Sequence, residues 1–343
     1  MRKLYMGSFA TLLCLILSLN SRSEAQAQAA PPLHLIHRYQ LPASIKGHFD
    51  HFAVDAKGMR LFGTAVEDKV LVVFDLNKGE MTHAVPGIEE PRGVVYRPEL
   101  SRLYVSDGGG AVRIFDSNTF KLVKTLKVMV DADPVVYDAA TKRMFVVNGG
   151  EKAKHTFSNI TVFDTTTETE VGDIRVDGIE TEGMAVEKSG PRLFSNNRDK
   201  NQIDVIDRNT LTKRATWPVT GKKNTVMALD ETTHRMFVAC HQGQLVVMDL
   251  DSGKELQTLP IGGGADDISF DPKTKHIYVS GGAGKGWIDV YLEKDADHYQ
   301  SLGRVESAPG AATGRLIPEL GEYVTFVPAQ KGDSAEVLVF AVK

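Results

Sequence analysis

Near the start of the chain, Gly47-His48-Phe49-Asp50-His51 places two imidazoles around one carboxylate. Such a set could ligate a metal ion, or supply a general base with an acid to orient it. His48 or His51 would permit zinc, but neither an H-E-x-x-H pattern nor a cysteine-rich one accompanies them. Two other stretches invite the same question. Cys240-His241 is a thiol–imidazole pair on paper, yet adjacent strand residues point to opposite faces, so Cys240 reads as a buried structural residue. GGAGKG (281–286) has no Ser or Thr after its lysine and stands between two strand-like runs, which makes it a turn and not a phosphate loop. No G-x-S-x-G is present.

The elements that must position His48, Asp50 and His51 recur along the chain. One series of words reads RLFGT (60–64), RLYVS (102–106), RMFVV (143–147), RLFSN (192–196), RMFVA (235–239), HIYVS (276–280) and EYVTF (322–326). Each is followed by a partner: VLVVFD (70–75), AVRIFD (111–116), NITVFD (159–164), QIDVID (202–207), QLVVMD (244–249), WIDVYL (287–292) and EVLVFA (336–341). The ends of the second series lie 41, 48, 43, 42, 43 and 49 residues apart. β-Branched and aromatic residues between Gly, Asn and Asp turns make these strands, and no segment shows helical periodicity. A further strand precedes and follows each pair. Four strands in a unit of this length predict an all-β, single seven-bladed β-propeller with antiparallel blades. The blades are expected at about 47–88, 89–129, 130–178, 179–221, 222–262, 263–307 and 308–343. The seventh copy stops after three strands, and residues 33–42 match the outer-strand pattern, so this N-terminal strand is expected to close the last blade.

Comparing copies separates architecture from function. Asp75, Asp116, Asp164, Asp207 and Asp249 enter tight turns where their side chains bond nearby N–H groups, and Arg60, Arg102, Arg143, Arg192 and Arg235 recur before the second strand. Both sets read as architecture. At the start of the innermost strand the copies differ: Asp50, Arg92, Asp133, Glu182, Thr225 and Asp266, with Thr313 to Arg315 in the seventh. Two positions earlier stand His48, Glu90, Asp131, Glu180, Lys223 and Gly264. In a propeller these residues ring one mouth of the central channel. Crowded carboxylates need an offset, from solvent with Arg92 and Arg315, or from a bound cation. Asp50, Asp133, Glu182 and Asp266 are therefore candidate metal ligands for Ca²⁺, or for Mg²⁺ or Mn²⁺ with fewer oxygens. Arg92, Asp131, Glu180, His241 and Arg315 are candidate ligand-binding residues, the two arginines suiting an anionic or sugar-like molecule. His48 and His51 are the candidate catalytic bases. The insertion at 149–159 lengthens a loop on the same rim, where it could gate the mouth.

The words LYVS, MFVV and IYVS, each followed by a Gly/Asn loop and V-x-V-x-D, resemble the YVTN-repeat β-propellers, the group that includes the YncE-like proteins. The resemblance covers the whole chain after its first thirty residues. It implies the propeller fold and a secreted, periplasmic or cell-surface location, and it brings no shared catalytic motif.

Met1-Arg-Lys, the apolar run Phe9 to Leu19, and the A-x-A sites at Ala25–Ala27 and Ala27–Ala29 independently predict a signal peptide over 1–29, cleaved at about 25–30. The run is too short to span a bilayer comfortably, so no membrane span is expected after cleavage. Cleavage after Ala27 would leave 37 basic and 43 acidic residues. That balance disfavours nucleic acid as a partner. Cys14 would leave with the leader, so Cys240 would have no intrachain partner. A monomeric binding scaffold is the function expected first, with a small molecule or protein at the mouth. A divalent-metal-dependent lactonase, hydrolase or lyase, with ring carboxylates holding the cation, is the alternative.

Overall fold

The computed structural model describes Met1 and residues 30–343, and the leader and its cleavage sites lie outside the described residues. Contacts separate Met1–Ala30 from Pro31–Lys343. Within Pro31–Lys343 the strands form seven four-stranded antiparallel sheets. Among the described residues one short 3₁₀ turn, Pro98–Leu100, is the sole helical element. Six sheets take four consecutive strands each. The seventh takes three from the C-terminus and the strand Leu33–Gln40, which pairs antiparallel with Glu336–Val342. The expected closure is present, and it covers an otherwise open apolar edge.

Each inner strand starts at one end of the channel, and its hairpin partner returns to that end. The loops between second and third strands therefore share the mouth with the inner-strand starts. The Asp turns lie at the opposite end. There Asp75 Oδ1 accepts from the N–H groups of Asn77 and Lys78, and Asp116, Asp164 and Asp207 repeat this with the two corresponding N–H groups.

The recurring arginines fasten blade to blade at this end. Arg60 donates to Ser117 O at 2.9 Å, Arg143 to Arg208 O at 3.0 Å, Arg192 to Leu250 O at 2.7 Å and Arg235 to Ala296 O at 2.9 Å. Arg102 reaches Glu168 of the next blade at 3.2 Å. The sixth and seventh copies carry His276 and Glu322 at this position. Their seams are packed by rings instead: Tyr278 stacks on Tyr323 at 5.6 Å, and Phe326 meets Phe49 and Phe52 at 4.9 and 5.2 Å.

Arg192→Met tests such a latch. It removes the bond to Leu250 and strips the carboxylate of Glu187, 4% exposed, of its guanidinium, leaving it the backbone N–H of residue 192. A loss of about 3 kcal/mol is expected in equilibrium unfolding. A loss below about 0.5 kcal/mol, the range of an ordinary surface substitution, would reduce the latch to a packing contact.

Candidate functional site

The inner strands begin with a backbone irregularity that aims the ring residues. In blades 1, 2, 4, 5 and 6 the pairing register shifts across Phe49/Phe52, Pro91/Val94, Thr181/Met184, Asn224/Val226 and Ala265/Asp267. Asp50, Arg92, Glu182, Thr225 and Asp266 sit inside these bulges, which bend the strand and redirect side chains.

Hydroxyls from the ends of the second-strand words pin that backbone across the seams. Thr64 Oγ1 donates to Arg92 O at 2.8 Å, Ser106 Oγ to Asp133 O at 2.7 Å, and Ser280 Oγ to Ala312 O at 3.0 Å. Sequence reasoning passed over this role. The signal was present, since the fifth residue of RLFGT, RLYVS and HIYVS is a hydroxyl. In the fourth blade the same position is Asn196, which accepts from Asn224 Nδ2 at 2.7 Å.

The ring closes on a throat of about 200 Å³ lined by His48, Asp50, His51, Arg92, Asp133, Glu182, Arg198 and Asp266. All four carboxylates proposed as metal ligands are therefore brought together, with both candidate histidines. Arg315 is not among them. It lies deeper, with Asp267, in a cavity of about 180 Å³ walled largely by Val94, Val136, Met184, Met227 and Ile268. Thr313 supplies the seventh blade's contact at the mouth, donating to Asp50 O at 2.9 Å. The expectation that Arg315 offsets the ring beside Arg92 is corrected accordingly.

The acidic ring carries its own counter-charges. His51 Nδ1 lies 2.6 Å from Asp50 Oδ1, and Arg92 Nη1 donates to Asp50 Oδ2 at 3.1 Å. Arg92 also bonds Glu90 and lies 3.6 Å from Asp133. Arg198, which the sequence reading missed, donates to Glu182 at 2.9 Å. Arg198 and His241 are the first residues after the second strand in their blades. Comparing that rim position between copies would have singled out both.

Burial opposes ionisation of Asp50, but the bond and charge of His51, then Arg92, hold it well below the usual carboxylate range. Burial likewise opposes a charged His51, yet Asp50, aided by Asp267 and Asp266, pushes its pKa up to about 10. The pairing favours the protonated ring, which weighs against His51 as a free general base. Burial raises Asp133 well above its ordinary value, with Asp50 adding to it and Arg92 insufficient to cancel it. Burial also raises Glu182 and Asp266.

Part of this donor set is already occupied by protein groups. The oxygens of Asp50 and one of Glu182 are engaged by cationic groups, and among the described residues no three His, Cys, Asp or Glu side chains are grouped to hold a metal ion.

Two further spaces open beside the throat. A vestibule of about 1000 Å³ on the side of blades 6, 7 and 1 shares His48, Asp266, Gly310 and Ala312 with it, and takes in His241, Lys46 and the loop Pro328–Ser334. On the other side, Asp131 and Glu180 line a recess of about 300 Å³ between blades 3 and 4. The insertion reaches this rim, where Lys152 bonds Glu90 and lies 3.9 Å from Asp131. Cys240 is fully buried, and burial pushes its thiol up to about 12, as expected of a structural cysteine. GGAGKG falls in the turn between the strands His276–Gly281 and Trp287–Asp295.

No family model matches the chain, and no curated protein matches it. Among solved structures 1773 chains match, a breadth that speaks for shape and not for ligand. One belongs to the crystal structure of a mitotic checkpoint complex, at 13% identity and a TM-score of 0.74, covering 97% of this chain and 99% of that one. At that identity the likeness shows the fold alone.

Proposed function

We propose that this chain is an exported binding scaffold of the YVTN-repeat type, which takes a small molecule or a protein segment at the open mouth of its channel. The continuity of vestibule, throat and recess carries the reading. Charged groups of both signs line one connected concave surface on a rigid ring, as in sites that orient ligands through a few convergent polar groups. Below the throat the space narrows to about 180 Å³, where Val94, Val136, Met184, Met227 and Ile268 mix with the charged groups Asp267 and Arg315. The leader pattern and the repeated words support export and the family type. A single chain with no nucleic-acid partner remains the proposed state, and no helix among the described residues is long and apolar enough to cross a membrane. The metal-dependent hydrolase alternative would rest on His48, Asp133 and Asp266, since His51, Asp50 and one oxygen of Glu182 are already engaged.

A thermal-shift screen of small molecules and host extract fractions tests the reading. Compounds that stabilise the parent are expected to lose their effect in His241→Ala/Asp266→Asn, and to keep it in Lys254→Ala at the opposite end. Hits indifferent to the mouth substitutions would overturn it. Protein made by its own host also decides export, its first residue being expected between Gln26 and Ala30.

A further inference from the structure

Resting on that reading, we propose that the recess between blades 3 and 4 binds an organic cation, an alkylammonium or guanidinium group. Five carboxylates line it: Asp131, Asp133, Glu151, Glu180 and Glu182. Lys152 is the one basic side chain among its lining residues, and it is committed to Glu90 and Asp131. The two arginines at its border are shared as well. Arg92 divides itself among Asp50, Glu90 and Asp133, and Arg198 between Glu182 and Glu180, the latter at 3.8 Å. The surplus is negative.

An independent feature points to a hydrogen-bonding ligand. Thr181 is 6% exposed and lines the recess, and its Oγ1 has no hydrogen-bond partner. A buried hydroxyl left so is costly, and an N–H donor placed in the recess would satisfy it. The neighbouring Ser158 hydroxyl, by contrast, donates to Gly178 O at 2.9 Å.

Chemistry selects an organic cation over a bare metal ion. The carboxylates line a space of about 300 Å³ and do not converge on one point, and no three of them are grouped for a metal. An ammonium offers three N–H donors and a guanidinium five, arranged to reach separated oxygens and a hydroxyl at once. The same group could arrive on a free polyamine or on a lysine or arginine side chain of a partner.

Calorimetric titration at fixed ionic strength tests this with n-butylamine, N-butylguanidine, 1,4-diaminobutane and short peptides bearing one Lys or Arg. Tetramethylammonium, n-butanol and Mg²⁺ are the controls. At least one amine or guanidine is expected to bind, at least tenfold more weakly in Glu151→Gln/Glu180→Gln. In Thr181→Val affinity is expected to fall at least threefold while the unliganded melting temperature holds or rises, a pair of changes that a packing role would not give. Tightest binding by the diamine assigns a free polyamine, and tightest binding by a peptide assigns a partner chain. No binding at 10 mM, equal affinity in the double variant, or an equal response to tetramethylammonium would overturn the cation site. A neutral or anionic hit from the mouth screen, lost in His241→Ala/Asp266→Asn and kept in Glu151→Gln/Glu180→Gln, would sink this proposal and leave mouth binding standing.

Discussion

A chain shortened to begin at Leu41 is expected to associate and to melt well below the parent. The missing strand buries Leu33, sets Tyr39 against Phe74 with ring centroids 5.6 Å apart, and pairs along Glu336–Val342. Its removal uncovers Val337, Leu338, Val339 and Phe340 on an unpaired edge, the pattern that templates further pairing. Lost apolar burial is on the order of 5 kcal/mol, or roughly 8 °C for a domain of this size. A peptide of residues 30–40 supplied in trans should restore the monomer by adding the strand back. Sizing chromatography and melting curves decide it. A shortened chain that stays monomeric with the parent's melting temperature would show that the strand is ornamental.

His51 is expected to make stability fall on the alkaline side. The folded ring keeps its proton to about pH 10, whereas an unfolded histidine releases it near ~6.5. Between those values the folded state holds the extra proton, so its contribution is complete below the lower value and disappears as pH rises through the upper one. The ring is 28% exposed and shares its gain with Asp50, so the discounted magnitude is on the order of 2–3 kcal/mol. Other groups titrate in this range, and the informative quantity is the difference between the parent and His51→Gln. That difference should be greatest near pH 6 and gone by about pH 10. A flat difference would mean that Arg92 alone holds Asp50 ionised.

The ring was legible because its positions could be aligned on repeated words. Asp50, Asp133, Glu182 and Asp266 line one cavity for the reason that made them comparable, the common start of an inner strand. The seventh blade resisted. Its inner strand is four residues long, Gly314–Ile317, and its second-strand word EYVTF lacks the leading arginine on which the first five copies align, so Arg315 stands deeper than the alignment placed it. The counter-charges resisted for a different reason. Arg198 stands just beyond an aligned word, in a loop, and its reach to Glu182 depends on side-chain geometry that spacing does not encode. His51 was read as a base because its type permits it. Its state is set by Asp50, Asp266 and Asp267, the last two more than two hundred residues away in sequence.

The arginine latches also impose a schedule on the folding chain. Each joins residues 57 to 66 apart, so every blade from the first to the fifth can be fastened once the next has emerged. The two seams without a latch flank the seventh blade, and that blade waits for a partner at the other end of the polypeptide: Arg38 bonds Glu336 across 298 positions. Local steps come early and the long loop closes last, carrying the largest entropic cost of the sequence of events. Until then the growing ring is an open arc, stiffened joint by joint, with its unlatched gap at blade 7, where the vestibule later forms.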